Sequence, residues 1–563
     1  MKSIRAAYPR PVLIALAAAV TSYTLVWLAS QHKLIYTDEV VFAEDFARIA
    51  RGEWADAVIP HPPLYVALAS LSTRIFGYTL PAMRVIGGLA FAATLGLIPW
   101  ACHALIQDAQ QARRATLTGI TIYAIHPLAL QGSLLLDVDN TIFTPAMLLC
   151  VIALALTESS PPVKRIALVG ASFAFMLWTK LLPTSLLIAV SALIVYAPRR
   201  RLFVVTALGI VFGLILFAMS FGIFAAWVNF PLDALSATFQ RTQEPLSGGT
   251  QKLIARTIMG GGITLVWLGV PFVLGYGVAV ARRILALKRT QPCAALDVIM
   301  LCSLMGLALF SAGNELPMGF PRYHYPLFLL MVLLVSRDLA EYPPDSRERS
   351  ILLVVLIACA AYFALVIPDP LLPQYQLTFE TDNLLRRLSV GLRSQATAFV
   401  LPFAAAWLVA WVYLRNRARA FQVAAIAFCL ASWGALTVTQ TRADYATIYE
   451  YGRQGAAEAS AVVRERTPIA DTILAPKEMI FASQRAGEYV LLYVCPACTA
   501  QKWIERFETQ PPAAYVLTTK EDGRYTHITR DPQVLAVLAR CYEDRVTVGS
   551  YLIYMRKSLA CVP

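Results

Sequence analysis

The sequence predicts a polytopic α-helical membrane protein that ends in a smaller α/β domain, and three observations support this prediction. Of the 563 residues, 58% are hydrophobic and 15% are charged, whereas soluble domains average about 45–50% and about 25%. The apolar residues are grouped in runs of about 20, the length of helix that crosses a bilayer. From about residue 440 onwards, short helix-like and strand-like segments replace these runs.

Thirteen apolar runs have the composition of membrane helices. We place them at 11–30, 84–103, 116–134, 141–157, 166–178, 183–197, 203–224, 258–281, 295–312, 326–341, 351–367, 398–414 and 421–438. The count depends most on 166–178 and 183–197, which are short and are interrupted by Thr179-Lys180 and Pro183. The first run follows a charged segment, as in a signal peptide, but it is too long and lacks a clear cleavage site, so we interpret it as the first span.

Basic residues support the odd number of spans. The net charge is +13, and with the N-terminus inside, every tight basic cluster falls on the cytoplasmic side, as the positive-inside rule expects. The clusters are Arg113-Arg114, Lys164-Arg165, Arg199-Arg200-Arg201, Arg282-Arg283 with Lys288-Arg289, Arg337 with Arg347 and Arg349, and Arg415 with Arg417 and Arg419. The tail is then outside the cytoplasm. No basic face is interleaved with aromatic residues, so we expect no nucleic acid partner.

The predicted organisation has two domains. Residues 1–439 form the transmembrane domain, which includes a first external loop at about 31–83 with interfacial helices. Residues 440–563 form an external α/β domain, with a helix over Tyr451–Arg466 and strand-like runs at Tyr489–Val494, Ala514–Leu517 and Tyr551–Met555. A domain of roughly 120 residues has a plausible size.

The first external loop carries adjacent acids, Asp38 and Glu39, directly after a membrane span. Carboxylates at such a position are costly unless water, a cavity or a ligand receives them. A simpler explanation is that Thr37 or Asp38 caps a helix, with acids favoured in its first turn. The two explanations are compatible, because the start of a helix can hold a carboxylate rigidly toward a cavity.

A second acidic motif is the turn Asp137-Val138-Asp139-Asn140 between two predicted spans. Asp and Asn suit solvated turns, so the turn alone does not require a function. It lies on the same predicted membrane face as Asp38, however, and two acidic sites in one pocket can divide the roles of base and positioning group. Asp137 and Asp139 could also bridge a divalent cation, magnesium or manganese, to a phosphate, although no tight ligand spacing requires a metal.

Cationic and aromatic residues on the same face form a candidate site for a lipid phosphate. They are His61, Lys180, Arg322, Tyr323 and His324. Taken singly, Lys180 and Arg322 could reach to headgroups, and His61 could be a simple loop histidine. Together they suit a phosphate, to which Arg offers a bidentate fork and Lys a point charge.

Four of the ten cysteines, Cys495, Cys498, Cys541 and Cys561, lie in the tail. An even number in an oxidising compartment predicts two disulfides, whose pairing the sequence does not decide. Cys495-Pro496-Ala497-Cys498 could instead be a redox or metal-binding pair.

The order of these motifs resembles the GT-C superfamily of membrane glycosyltransferases. The motifs are Asp38-Glu39 after the first span, His61-Pro62-Pro63-Leu64-Tyr65, Phe76-Gly77, Arg84 at the opening of the second span, and the later acidic turn. The layout of thirteen spans and an external α/β domain is most similar to bacterial lipid A aminoarabinose transferases, which are related to protein O-mannosyltransferases. The stretches Thr179-Lys180 and Pro321-Arg322-Tyr323 are also similar to that group.

The resemblance implies a GT-C fold in the bacterial inner membrane with an active site facing the periplasm. The implied reaction is an inverting transfer of a sugar from a polyprenyl phosphate, such as undecaprenyl phosphate, to a hydroxyl group of lipid A, another glycolipid, a polysaccharide or a protein. It places the base on Asp38, with Glu39 in support and Asp137 or Asp139 as the second acidic site. His61 and Val41 stand where aminoarabinose enzymes have Lys and Arg, so the resemblance does not identify the sugar that is transferred.

Two other function classes agree less well with the sequence. A transporter or flippase of a lipid-linked sugar is expected to have ionisable residues near mid-membrane in broken helices, whereas these acids lie at span ends. A non-catalytic scaffold that works through its external domain would not need paired acids in membrane-proximal loops. The expected partners are therefore the lipid-linked donor, the acceptor and membrane lipids.

Overall fold

The computed structural model describes residues 7–31, 38–54, 62–138, 141–181, 184–230, 268–287, 294–313, 325–341, 343–366, 399–442 and 455–557. Contacts between residues divide the chain into two compact units. The membrane unit contains the described residues from 7 to 441 apart from 38–41, and the tail unit contains 38–41 together with the described residues from 442 to 557.

The membrane unit is helical. Its helices are α1 (Arg10–Ala29), α2 (Asp38–Ala50), α3 (Leu64–Phe76), α4 (Leu80–Leu105), α5 (Ala109–Ile125), α6 (Pro127–Leu134), α7 (Phe143–Leu156), α8 (Pro162–Thr179), α9 (Thr184–Tyr196), α10 (Arg200–Val228), α11 (Val270–Leu287), α12 (Ala294–Gly313), α13 (Tyr325–Glu341), α14 (Ser346–Val366), α15 (Leu401–Leu414) and α16 (Arg417–Arg442). Among the described residues, α1, α4, α10, α14 and α16 are long and apolar enough to cross a membrane, and α3, α7, α9, α12 and α15 are shorter apolar helices. The prediction of a polytopic helical membrane protein is confirmed, whereas the count of thirteen spans stays a prediction.

The predicted span 116–134 consists of two helices that meet at His126-Pro127. Pro127 has no backbone N–H and restricts the residue before it to extended conformations, so α5 ends here. His126 is extended, and its Nδ1 accepts a hydrogen bond of 3.1 Å from the backbone N–H of Leu128. The imidazole therefore caps α6, and the chain changes direction inside the bundle without leaving that N–H unpaired.

Helices α8 and α10 approach closely because glycines line their contact. Gly170 on α8 faces Gly209 and Gly213 on α10, and a Cβ on Gly213 would lie only 2.7 Å from the carbonyl oxygen of Gly170. The spacing of Gly209 and Gly213 is the small-residue pattern that lets membrane helices pack backbone to backbone.

A buried arginine ties four helices together at one end of the bundle. Arg165 on α8 is 1% exposed, and its Nε and Nη2 donate to Thr206 Oγ1 on α10 at 3.1 and 2.9 Å. Its Nη1 donates to the carbonyl of Leu154 on α7 at 3.3 Å, and the guanidinium lies over the ring of Tyr196 on α9 at 4.6 Å. In an apolar bundle such a charge needs internal partners, and this one has them.

Ion pairs occur at the same end, which the sequence predicts to be cytoplasmic. Arg283 on α11 is buried and donates to Asp297 on α12 at 2.7 Å, and Arg282 donates to Asp338 on α13 at 2.7 Å. Glu158, in the turn between α7 and α8, accepts from the N–H of Ala295 in the first turn of α12 at 2.7 Å. A carboxylate is favoured there by the helix dipole.

Aromatic rings connect helices through the centre of the bundle. Tyr23 stacks on Phe91 with 4.0 Å between centroids, Phe91 on Tyr123 at 5.3 Å, and Tyr123 on Phe328 at 6.1 Å. These residues belong to α1, α4, α5 and α13. Each such pair contributes about 0.5–1.5 kcal/mol beyond the burial of its area.

The tail unit is a five-stranded sheet with helices. Its elements are α17 (Ala456–Arg466), β1 (Thr472–Ala475), α18 (Lys477–Ser483), β2 (Ala486–Tyr489), α19 (Ala500–Thr509), β3 (Ala514–Thr518), α20 (Thr519–Arg524), α21 (Thr526–Thr529), α22 (Pro532–Cys541), β4 (Val546–Val548) and β5 (Tyr551–Met555). The strand order is β2-β1-β3-β5-β4, with β2, β1 and β3 parallel and the last two antiparallel to their neighbours. The predicted α/β class is confirmed, but the strand expected over Tyr489–Val494 is wrong beyond Tyr489, because Val490–Leu492 forms a 3₁₀ helix.

Both faces of the sheet are covered by apolar side chains. On one face, Trp503 and Phe507 of α19 stack at 3.6 Å and pack against Tyr515 of β3. On the other, Ala459 and Val463 of α17 belong to the buried cluster that includes Val516 and Ile553. A sheet covered on both faces explains why β3 has no exposed position.

The tail cysteines only partly follow the prediction. Cys495 and Cys498 form a disulfide with 5.0 Å between their Cα atoms. Cys541 is a free thiol, which corrects the expectation that it is bridged: it ends α22 and is packed in the core beside Leu538 and Tyr542. Cys561 lies outside the described residues.

Gly213→Ala should destabilise the protein, because a Cβ at this position would push α8 and α10 apart. Overpacking of this kind costs about 1–3 kcal/mol. Gly222 on the same helix is the matched control, since a Cβ there meets nothing within 4 Å. Thermal unfolding of purified protein in detergent should show a lower melting temperature for Gly213→Ala than for Gly222→Ala, and equal values would contradict the close contact.

The tail unit contains an acid-sensitive ion pair at the edge strand. Arg506 Nε and Nη2 donate to Glu488 at 3.1 and 2.7 Å, and the Tyr493 hydroxyl donates to Glu488 at 2.7 Å. Arg506, followed by Tyr493, holds the pKa of Glu488 below its ordinary value of 4.5. A carboxyl group with a lowered folded pKa stabilises the fold above its ordinary pKa, and this contribution is lost as pH falls through the lowered value.

We therefore expect Glu488→Gln to weaken α19 at about pH 6 and to reduce its further weakening at about pH 3.5. The measurement is the opening free energy of the α19 amides by hydrogen exchange in the full-length protein, corrected for intrinsic exchange rates. An identical loss on acidification in wild type and variant would show that another group is responsible.

Candidate functional site

The structure describes the side chains of only some predicted site residues. Those of Asp137 and Lys180 are described, and Asp38 and Glu39 are placed as the first residues of α2 without description of their side chains. His61, Asp139, Arg322, Tyr323 and His324 lie outside the described residues.

The adjacent acids of the first loop open a helix. Helix α2 begins at Asp38 and runs to Ala50, so Asp38 and Glu39 occupy its first turn. Carboxylates are favoured at this position by the unpaired N–H groups and the dipole of the helix. The predicted position of these acids in the first turn of a helix is therefore confirmed, whereas capping by Thr37 or Asp38 and a catalytic role of the carboxylate stay predictions.

Asp137 is buried, which corrects the idea of a solvated turn. Asp137 is 6% exposed, and the neighbouring Val138 and Thr141 are 0% and 1% exposed. Asp137 Oδ1 accepts from the N–H of Val138 at 2.7 Å, and Thr141 Oγ1 donates to the Asp137 carbonyl at 2.6 Å. These bonds within the turn hold the carboxyl group in a defined place between α6 and α7.

Glycine makes room for this turn on α4. A Cβ on Gly87 would collide with the carbonyl of Ser133, at the end of α6, and would lie 3.4 Å from the Thr141 methyl group. The acidic turn therefore rests directly on the N-terminal part of α4.

Arg84 lies one helical turn before Gly87 and is 1% exposed. Its Nη1 donates to the carbonyls of Gln31 at 3.2 Å and Ser30 at 3.4 Å, just after the end of α1. Carbonyls at the C-terminal end of a helix lack partners within the helix and favour a cation. Arg84 therefore holds the end of α1, whose last residue, Ala29, is nine residues before Asp38 at the start of α2.

In the sequence, Arg84 is recognisable only as part of a motif, without a role of its own. The available signal was a cation close to the start of an apolar span, which is costly without a partner inside the protein. The partners are backbone carbonyls, which carry no sequence pattern of their own.

Lys180 is buried at 2% exposure, so its side chain is enclosed by protein, whereas the simpler explanation expected it to reach to lipid headgroups. It follows the last residue of α8, its N–H donates to the carbonyl of Met176 at 3.0 Å, and Ser185 Oγ donates to its carbonyl at 2.6 Å. Helices α7 and α8 pack together and are joined by the short connection 157–161. The end of α8 with Lys180 and the start of α7 after Asp137 therefore lie at the same end of the bundle.

Tyr325 is the first described residue after the predicted phosphate-binding residues 322–324, and its contacts locate the start of α13. It is the first residue of α13, directly after Arg322-Tyr323-His324 in the sequence. Its hydroxyl donates to the Ala129 carbonyl at 3.1 Å and lies 3.0 Å from the Tyr123 hydroxyl. Its ring packs on Gly132 of α6, where a Cβ would clash with it. The start of α13 is therefore held against the helix that leads to Asp137.

This end of the membrane unit thus combines buried groups of both signs, Arg84, Lys180 and Asp137, in an apolar bundle. Fixed charges act more strongly in such surroundings than in water, because little solvent screens them. The arrangement suits recognition of a small charged group that enters from the same end. In the part of the chain that is described, no group of three or more His, Cys, Asp or Glu side chains could hold a metal ion, and a divalent cation at Asp137 and Asp139 stays a prediction.

Comparisons with known proteins give structural neighbours only. No family model and no curated protein matches the chain. It is similar to two crystal structures of ArnT from Cupriavidus metallidurans, one bound to undecaprenyl phosphate and one in the apo state. Both similarities cover 97% of this chain, and 99% and 98% of the neighbours, with a TM-score of 0.59 and identities of 15% and 14%. This likeness confirms the predicted GT-C fold with a C-terminal α/β domain.

Arg84→Met should lower the stability of the protein, because it keeps an apolar stem and removes the donor to the end of α1. Hydrogen bonds from charged groups contribute about 1.5–3 kcal/mol. Arg74→Met, on exposed Arg74 of α3, is the matched control. The melting temperature in detergent should fall for Arg84→Met and change little for the control. Equal melting temperatures would show that the hydrogen bonds from Arg84 to the carbonyls of Ser30 and Gln31 do not stabilise the protein.

Proposed function

We propose that this protein is a membrane glycosyltransferase that transfers a sugar from a polyprenyl phosphate, such as undecaprenyl phosphate, to a hydroxyl group of a lipid, glycan or protein acceptor. The observation that carries the proposal is the structural similarity to ArnT along 97% of the chain, since one of the ArnT structures is bound to undecaprenyl phosphate. The motif order Asp38-Glu39, His61-Pro62-Pro63 and Arg84 supports the same assignment from the sequence.

The buried charges at one end of the membrane unit suit this chemistry. A sugar on a polyprenyl phosphate already has a good leaving group, so the main requirement is stabilisation of the negative charge on the departing phosphate. Lys180 supplies a buried ammonium group at this end. In the proposal, Arg322 and His61 join it at the phosphate, with Tyr323 and His324 beside them.

Asp38 acts as the base in the proposed reaction. The acceptor oxygen attacks the anomeric carbon on the face opposite the phosphate, and the bond between the anomeric carbon and the phosphate oxygen breaks. The polyprenyl phosphate leaves with the electron pair, and the acceptor proton moves to the Asp38 carboxylate. A single displacement of this kind inverts the anomeric configuration. Glu39 and Asp137 or Asp139 support the base and position the sugar.

We place the active end in the periplasm and the protein in a bacterial inner membrane. The positive-inside distribution of arginine and lysine supports this orientation. The Cys495–Cys498 disulfide also supports it, because disulfides persist in oxidising compartments. Asp137 and Asp139 would hold a divalent cation if the reaction needs one, and a chelator would then abolish sugar transfer from the polyprenyl phosphate.

Asp38→Asn should abolish sugar transfer, because an amide has the shape of the carboxylate but cannot accept the proton. A general base contributes about 10²–10⁴-fold in rate. The assay is turnover of a panel of polyprenyl-phosphate sugars by purified protein in lipid, with cell-envelope extract as acceptor. Glu508→Gln is the control, since Glu508 is an exposed carboxylate of the tail paired with Arg540.

Turnover of one donor by wild type and Glu508→Gln, lost in Asp38→Asn, would identify the sugar and support the base. If no donor turns over while labelled lipid-linked sugar crosses the bilayer in wild type and Asp38→Asn alike, the protein is a flippase and the proposed function is wrong.

A further inference from the structure

A disulfide lies at the surface of the tail unit and has no part in the proposed reaction. Cys495 and Cys498 are bonded to each other across a turn that precedes α19. Both residues are partly exposed, and Pro496 and Ala497 between them are exposed. The other cysteines of the described residues are buried free thiols. In this part of the chain, sulfur that a reagent or a partner can reach is therefore concentrated in this pair.

The disulfide adds little to the stability of the fold. In the chain-entropy model, the stabilisation grows with the length of the loop that a disulfide closes, and this bond joins cysteines with a sequence separation of 3. The same turn is already closed by a backbone hydrogen bond of 3.2 Å from the N–H of Cys498 to the carbonyl of Cys495. A bond that folding does not require can open and close while the domain around it stays folded.

The chain on both sides of the turn is held by other contacts. Before the turn, the N–H of Val494 donates to the carbonyl of Val490 at 3.0 Å, and the side chain of Val494 is fully buried. After the turn, Thr499 Oγ1 caps α19 by accepting from the N–H of Lys502 at 3.3 Å. Trp503 then anchors α19 in the core. Two thiols formed by reduction would therefore stay close together, as re-formation of the bond requires.

The surroundings of the two sulfurs differ. Cys498 packs against the apolar core of the tail unit, and its sulfur lies 3.6 Å from the carbonyl oxygen of Leu492. Cys495 does not belong to this core cluster. Cys498 also directly precedes Thr499, the N-cap of α19, and Lys502 adds a positive charge to the first turn. A helix start and a nearby cation favour a thiolate, so Cys498 is the better leaving group and Cys495 the sulfur open to attack.

We propose that Cys495 and Cys498 form a thiol–disulfide exchange site whose partner is a protein with a reactive dithiol. A thiolate of the partner attacks the Cys495 sulfur, the bond between the two cysteines breaks, and Cys498 leaves with the electron pair and takes up a proton. The second thiolate of the partner then attacks the partner sulfur of the mixed disulfide. The partner becomes a disulfide, and Cys495 leaves as a thiolate and is protonated.

Two electrons thus pass from the partner dithiol to the cysteine pair, and the reverse sequence oxidises the pair again. The site lies in the tail unit and does not depend on the proposed sugar transfer.

The first test identifies the sulfur that is attacked. Full-length protein in detergent is mixed with excess thioredoxin in which the second active-site cysteine is replaced by serine. The reaction is quenched with acid at early times, free thiols are alkylated, and unreduced peptides are analysed by mass spectrometry. Cys495 should carry at least about ten times more linked thioredoxin than Cys498.

The control for this test is the Cys495→Ser, Cys498→Ser double variant, which retains the other cysteines. Linked thioredoxin at the level of this control, or at Cys498 as much as at Cys495, would overturn the proposal.

The second test determines whether exchange occurs in the folded protein. Wild type in detergent is reduced with dithiothreitol without oxygen, thiols are tagged with maleimide, and intact mass gives the number of tags above the double variant. The pair should be reduced at a rate within about tenfold of that of a synthetic oxidised peptide of residues 490–502, because the disulfide is accessible in both. The melting temperature should stay close to that of the oxidised protein.

Reduction more than about tenfold slower than in the peptide, or a reduced protein that has unfolded, would show that the disulfide is structural and would overturn the exchange site. Neither test contains a sugar donor, so a failure here leaves the proposed function intact. A failure of sugar transfer likewise leaves the exchange site intact.

Discussion

Charged side chains buried in an apolar helical bundle are the constraint on which the rest of this structure depends. Arg84, Arg165 and Arg283 are each 1% exposed, and each donates to partners inside the protein: helix-end carbonyls, a threonine hydroxyl with a carbonyl, and a carboxylate. Without such partners a buried charge would be prohibitively costly in lipid. The helices must therefore meet where these partners are available, and the contacts of the three arginines determine which helices are neighbours.

The two ends of the membrane unit use buried charge differently. At the end predicted to be cytoplasmic, Arg282 and Arg283 are paired with Asp338 and Asp297, so the charges there stabilise the packing of α11, α12 and α13. At the other end, helices end at Lys180 and at the Asp137 turn, and Gly87 and Gly132 let this turn and the helix before it pack against α4 and α13. Polar groups at helix breaks inside a bundle are typical of sites in membrane proteins, because irregular backbone at this depth is tolerated only within protein or around a cavity.

The first loop places the proposed base at the start of a helix. Helix α2 begins at Asp38 and runs to Ala50, and the first turn of a helix is where the unpaired N–H groups and the dipole favour a negative charge. Before the loop, Arg84 holds the end of α1 through its hydrogen bonds to backbone carbonyls.

The sequence by itself determined the membrane class, the approximate position of the helices, the α/β class of the tail and the break after Thr179, because runs of bilayer length and alternating patterns are local properties of the chain. It also indicated Asp38, Asp137 and Lys180 as candidate residues. Only the tertiary structure decided that Asp137 and Lys180 are buried, that Arg84 binds the carbonyls at the end of α1, and that Cys541 is unbridged. Burial and pairing arise from contacts between residues far apart in the chain. Every residue has a backbone carbonyl, so the sequence does not show which carbonyls accept hydrogen bonds from Arg84.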